Sequence, residues 1–322
     1  MSLLSFKTAR ISASVLAATL LLTACGGQST GAGTDSEGGL SGSVTIDGSS
    51  TVAPLSEAAA DLFREVEPGV NVTVATSGTG GGFKAFCAGE TDISDASRPI
   101  KAEEIADCEA AGIEYTEIVI ANDGMSVVVN PENDWAQCLT MEHLQTIWSP
   151  DSEGTITNWN QVDPAFPDEE LSLFGAGTDS GTFDYFTEAV NGEEGAVRTD
   201  YSPSEDDNII VQGVSGSAGA MGFFGLSYVE ENEGVIKAVE VDNGEGCIYP
   251  TRETVQDGSY TPFGRPLFIY VNNAFYAEKE QLRTFIDYYL ENEEEIATAA
   301  LFIDLTDEQQ TTAQDALATL VE

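Results

Sequence analysis

The sequence predicts an α/β protein built as two lobes. Strand-like and helix-like stretches alternate along the chain, the pattern of parallel α/β architecture. One device recurs at several places: a strand, a small polar turn, then a helix. About 280 of the 322 residues remain once an N-terminal leader and tether are set aside, enough for two such lobes.

The leader comes first. Lys7 and Arg10 form a positive flank, and residues 11–22 are an apolar run too short to span a bilayer comfortably. The run ends in Leu22-Thr23-Ala24-Cys25, which resembles a bacterial lipobox: an aliphatic residue, two small residues and the cysteine that receives lipid. Residues 1–24 are therefore expected to be a lipoprotein signal peptide, with Cys25 as the lipid attachment point. The mature chain would be exported and anchored to the outer face of the cytoplasmic membrane, in a periplasm or at the cell surface. Residues 25–41 are rich in Gly, Ser and Thr and cannot bury enough surface to fold, so they read as a flexible tether.

The folded part opens with a strand at residues 43–46 and the turn Asp47-Gly48-Ser49-Ser50-Thr51. From residue 53 to 66, Leu55, Ala58, Ala59, Leu62 and Phe63 recur at helical spacing, and Pro54 suits a first helical turn. Residues 70–75 alternate Val with Asn or Thr as a strand does. Ser77-Gly78-Thr79-Gly80-Gly81-Gly82 follows, and a helix is expected over 83–88. Residues 91–96 lead into Ser97-Arg98-Pro99 and a helix over 101–111. Later, a strand over 171–174 meets Gly177-Thr178-Asp179-Ser180-Gly181-Thr182, and 183–190 reads as a helix.

These turns suit an anion. A helix N-terminus leaves backbone N–H groups unpaired and carries partial positive charge. Glycine lets an anion approach the backbone, and Ser and Thr hydroxyls add donors. In a doubly wound sheet such loops gather at the carboxyl ends of the strands. A single Ser or Thr at a helix start is usually just a cap. Several in one chain, one of them beside Arg98, point to a shared oxyanion.

Four cysteines remain after Cys25, and an even number in an exported chain predicts two disulfides. Of the three possible pairings, the preferred one joins Cys87 to Cys108, stapling neighbouring helices, and Cys138 to Cys247. With no CxxC pair and His143 the single histidine, no metal site and no cofactor is expected. The net charge of −43 disfavours nucleic acid, since no basic run exists to neutralise a phosphate backbone. So acidic a chain suggests a salty habitat, where screening relieves self-repulsion. The acidic run at residues 291–295 reads as a solvated helix face.

Enzyme classes fit poorly. Lys84 is not followed by Ser or Thr, so the Walker pattern fails, and Ser180 does not sit in a GxSxG elbow. No dense His/Asp cluster is present for a metal-dependent phosphatase.

Taken in order, Gly48-Ser49-Ser50-Thr51 with Pro54-Leu55, Ser77-Gly78-Thr79-Gly80-Gly81, Asp92-Ile93-Ser94-Asp95-Ala96-Ser97-Arg98-Pro99 and Asp179-Ser180-Gly181-Thr182 resemble the phosphate-binding proteins of bacterial ABC importers. Ile147-Trp148, Ile156-Thr157-Asn158-Trp159 and Gly219-Ala220-Met221-Gly222-Phe223-Phe224 resemble later segments of that family. The resemblance implies a type II periplasmic-binding-protein fold with a ligand cleft between lobes joined by hinge strands. It implies lobes at residues 42–122 plus 266–322 and 123–265, with 127–129 and 267–271 as crossing strands. It also implies a monomer that binds inorganic phosphate and delivers it to an ABC permease in the membrane. Another tetrahedral oxyanion such as sulfate, or a sensing role, is the alternative. By position, Ser50, Thr51, Ser77, Gly78, Ser97, Ser180, Gly181 and Thr182 carry over as ligand donors. One departure matters: family members carry a carboxylate where Ser97 stands and an arginine near Ala176. Here Arg98 is expected to supply the cation, its alternative being an ion pair with Glu103 or Glu104. Asp179 is the first choice for the carboxylate that accepts the phosphate proton, and Asp95 the second.

Overall fold

A computed structural model of the chain describes residues 39–178, 180–204 and 206–320. The signal peptide, Cys25 and all but the end of the tether lie outside the described residues, as does Asp179.

The first part alternates β1 (Gly42–Gly48), α1 (Ala53–Val66), β2 (Val70–Ala75), α2 (Thr79–Cys87), β3 (Ile93–Ala96) and α3 (Ala102–Ala111). A long strand, β4 (Tyr115–Val129), leads to β5 (Cys138–Thr140) and α4 (Met141–Trp148). Then come β6 (Ser172–Ala176), α5 (Gly181–Asn191), β7 (Ser202–Ser204), α6 (Asp207–Ser215), β8 (Ala220–Gly225) and α7 (Leu226–Glu231). The short β9 (Lys237–Ala238), β10 (Glu240–Asp242), β11 (Cys247–Ile248) and α8 (Arg252–Gln256) precede β12 (Gly264–Asn272). Four helices close the chain: α9 (Asn273–Glu278), α10 (Glu280–Glu291), α11 (Glu293–Ala299) and α12 (Asp307–Thr319).

The main sheet runs β2-β1-β3-β12-β4-β8-β6-β7, with β9 beside β4. β1, β2 and β3 are parallel, as are β6, β7 and β8. Between these sets β4 and β12 lie antiparallel, registering Gly264 with Gly124 and Asn272 with Tyr115. β4 then pairs with β8 through Met125–Val129, so the chain crosses from one parallel set to the other along β4 and returns along β12.

Each set has its own apolar core. One packs Val44, Leu55, Phe63, Ile120, Leu267 and Phe285. The other packs Val127, Trp148, Trp159, Phe186, Phe223 and Phe263, and Ile303 from the C-terminal segment joins it. Within the second core Phe186 stacks on Phe223 at 3.8 Å while Trp148 meets both edge-on, an arrangement that favours aromatic quadrupoles. Cys87–Cys108 ties α2 to α3, and Cys138–Cys247 ties β5 to β11, the pairing preferred from the sequence.

The structure corrects two readings. α2 starts at Thr79 rather than Phe83, so Gly80, Gly81 and Gly82 are helical. Gly82 serves close approach: a Cβ there would lie 2.5 Å from the Gly48 Cα and 2.8 Å from the Asp47 carbonyl oxygen, so α2 rests directly on β1. The acidic run, in turn, is not one solvated face. It breaks at Asn292, and Glu293 is only 3 % exposed. Its Oε1 accepts the Leu305 N–H (3.0 Å) and its Oε2 accepts from Gln310 (3.4 Å), because a buried backbone N–H needs an acceptor.

Burial pushes the Glu293 carboxyl up to about 7. The folded chain then holds this proton more tightly than the unfolded chain. Stability from this group is full below the ordinary glutamate range and is lost as pH rises towards about 7. Glu293→Gln keeps an acceptor for Leu305 and removes the titration. We expect the variant to gain about 2 kcal/mol over wild type between about pH 4.5 and pH 7.5, read from denaturant melts. Parallel stability profiles would contradict this.

Candidate ligand-binding site

The turn after β1 begins the site. Ser49 N–H donates to the Asp95 carbonyl (2.9 Å), and Thr51 N–H donates to the Ser49 hydroxyl (3.2 Å). The N–H groups of Val52 and Ala53 return to the Ser49 carbonyl, which winds the chain into α1 with Pro54 in its first turn. At the next turn Gly78 takes φ 77°, a left-handed conformation that glycine adopts without strain, and α2 starts immediately after it. Thr79 Oγ1 lies 3.1 Å from Ser97 Oγ and accepts the Ser97 N–H, joining the turns after β2 and β3.

These turns face the other half of the molecule across a cleft. Ser49, Ser50, Thr51, Gly78, Thr79 and Ser97 line one side of a small cavity; Asp184, Tyr185, Glu194 and Arg265 complete it. Ser50 Oγ donates to Asp184 Oδ2 (3.2 Å) and Thr51 Oγ1 donates to the Gly181 carbonyl (3.2 Å). The approach at Gly181 is close enough that a Cβ there would sit 2.5 Å from Thr51 Oγ1, so only glycine lets the two turns meet. Ser180 caps α5, its hydroxyl accepting the Thr182 N–H (3.2 Å).

The sequence-derived residues therefore divide. Ser50, Thr51, Gly78 and Ser97 come together in the cavity. Ser180, Gly181 and Thr182 line an adjoining cavity that shares Ser50 and Thr51 and adds Asp123. Ser77 stands back, its N–H donating to Asp47 Oδ1 (3.0 Å). Arg98 forms a two-pronged pair with Glu104, both contacts 2.8 Å, with Phe83 5.7 Å away. The Glu104 hydrogen bond raises its pKa further, and Glu188 and Glu194 act in the same direction. Asp95 is wholly buried, its Oδ1 accepting from Ser56 Oγ (3.0 Å), and it does not line the cleft.

Three charged residues that the sequence did not single out line the small cavity: Arg265, Asp184 and Glu194. Arg265, near the start of β12, pairs in register with Asp123 on β4. Its Nε donates to Asp123 Oδ2 (3.2 Å) and its Nη2 to Thr51 Oγ1 (3.2 Å), while the guanidinium lies 3.3 Å over the Tyr185 ring. Asp184, in the first turn of α5, faces Ser50. Burial raises the Asp184 carboxyl, against the lowering effects of Ser50 and Arg265. Burial also raises Asp123 and Glu194; Glu188 and Asp184 push Glu194 the same way. The one signal for Arg265 in the sequence was the scarcity of cations, only 12 Lys and Arg in the whole chain.

Hydroxyl donors, helix N-termini and a guanidinium facing carboxylates of raised pKa can hold an anion that still carries a proton. Two α/β cores bridged by crossing strands, with such a cleft between them, define a two-lobed solute-binding protein. Residues 33–293 match the family model described as the PBP superfamily domain, and the chain belongs to that superfamily. It is 50 % identical over 266 residues to protein SphX of Synechocystis sp., covering 83 % of this chain and 79 % of that one. It is 38 % identical to the phosphate-binding protein PstS of Staphylococcus saprophyticus, covering 95 % and 92 %. A crystal structure of a possible phosphate binding protein from Planctomyces limnophilus superposes with a TM-score of 0.84 at 44 % identity, covering 88 % of this chain and all of that one.

Proposed function

We propose that this chain binds inorganic phosphate outside the cell and delivers it to an ABC permease, acting as a binding protein rather than an enzyme. The observation that carries the reading is the convergence of the turns after β1, β2 and β3 on Arg265 and Asp184 across one cleft. The names of relatives that align over most of their length support it.

In this reading Ser50, Thr51, Gly78, Ser97, Ser180, Gly181 and Thr182 are donors. Arg265 is the principal cation, with Arg98 at the edge. Asp184 takes the phosphate proton, with Asp179 as the competing acceptor. Residues 42–122 plus 266–322 form one lobe and 123–265 the other; apart from Ile303, the two main apolar cores sort along the same division. Lipidation at Cys25 holds a monomer at the membrane, and residues 25–41 give it reach.

Calorimetry of the purified protein against phosphate, sulfate, arsenate and phosphonates tests the assignment. Saturable one-to-one binding of phosphate, with sulfate much weaker, is expected. Sulfate bound as tightly as phosphate would overturn it.

A further inference from the structure

Asp95 occupies an unusual place behind this site. Its backbone lies between Gly48 of β1 and Ile269 of β12, and its carbonyl holds the Ser49 N–H. The side chain is 0 % exposed. Oδ1 accepts from Ser56 Oγ in the first turn of α1, and Oδ2 is buried without a hydrogen-bond partner. The titratable groups facing it are Asp47 from β1, Glu57 from α1 and Tyr289 from α10; β12 presents Ile269. None is a cation. An ionised carboxylate so placed would be desolvated and unpaired, so the group is held as the neutral acid.

We propose that Asp95 is a positioning residue of the anion site that works only as a neutral acid. Neutral, it fastens α1 and the 49–52 turn to β3. Ionised, it sets an unpaired negative charge behind Ser50 and Thr51 and favours conformations in which the turn lifts to admit water. Ligand affinity therefore falls on the alkaline side. Burial is the main cause of the raised pKa, about 8; Ser56 opposes it, and Asp47 and Glu57 add to it. The inference rests on the phosphate reading.

The test is calorimetry with inorganic phosphate on wild type and Asp95→Asn at about pH 7 and about pH 9.5. Each protein gives a ratio of its two dissociation constants, so the titration of phosphate itself cancels in the comparison. If only the neutral form binds, a pKa of about 8 makes the wild-type ratio about 30-fold larger than that of the variant. Equal ratios with binding intact would overturn this inference alone. Absence of phosphate binding in wild type at both pH values would overturn the phosphate reading and this inference with it. Should Asp95→Asn fail to fold, Ser56→Ala replaces it. That change removes a hydrogen bond favouring the ionised form, so the alkaline loss should move to higher pH, and a loss that stays in place would overturn the proposal.

Discussion

Arg265→Ala is expected to weaken phosphate binding by at least about 100-fold, while Arg98→Ala weakens it by less than about tenfold. The difference follows from what each guanidinium already holds. Arg98 has both terminal nitrogens on the Glu104 carboxylate at 2.8 Å. Glu104 is itself fixed there, because its Oε2 takes the Lys101 N–H at the start of α3 (2.8 Å). Arg265 sits inside the cleft with its Nε on Asp123 Oδ2 (3.2 Å) but one terminal nitrogen on the neutral Thr51 hydroxyl, a contact that an anion can replace with a stronger one. A charge-assisted hydrogen bond contributes about 1.5–3 kcal/mol, and two of them account for the loss. Calorimetry gives the affinities, and circular dichroism shows whether the fold survives, since Arg265 also packs on Tyr185. A larger loss in Arg98→Ala than in Arg265→Ala would return the principal role to Arg98.

Asp184→Asn is expected to narrow the preference for phosphate over sulfate by at least about 100-fold. Phosphate near neutral pH carries a proton that sulfate lacks. A carboxylate in the cleft can accept that proton, whereas it faces only lone pairs on sulfate and repels it. Sites built around such a hydrogen bond reject the analogue lacking it by about 10⁴-fold. Asp184 is suited by its position opposite Ser50 across the cavity; burial raises its carboxyl, and Ser50 and Arg265 act against that shift. Asparagine keeps the size and the acceptor for Ser50 but loses the charge. Asp179→Asn is the paired experiment. Should it collapse the sulfate-to-phosphate gap while Asp184→Asn leaves it intact, Asp179 is the acceptor.

How much of this was legible differs from residue to residue. Local pattern marked the turns after β1 and β3, because Pro54, the apolar spacing of α1 and the small polar residues act over a few positions. It misplaced the start of α2, because three glycines read as a loop, although they are helical and the last of them, Gly82, packs against β1. Cysteine count and compartment narrowed the disulfides to three possibilities, and the preferred pairing is the one found. Glu293 passed as one acid among several on a helix, since its partner Leu305 lies twelve residues on, past the end of α11.

The sequence by itself determined the α/β class, the recurring anion-suited turns and the family, because these depend on composition, short-range periodicity and ordered motifs. Tertiary structure decided which charges stand in the cleft. Arg265 reaches Thr51 and Asp123 across chain separations of 214 and 142 residues, and its place follows from the pairing of β12 against β4. Arg98, which lies beside the most conspicuous turn, is turned aside by the way α3 presents Glu104. Asp95 and Asp184 show the same reason from opposite sides. Strand pairing and the packing of α1 seal Asp95 into the core, while the approach of Gly181 to Thr51 brings Asp184 into the cleft. Register and packing are set by contacts distant in sequence, and these fix which carboxylate lines the cleft and which is held away from it.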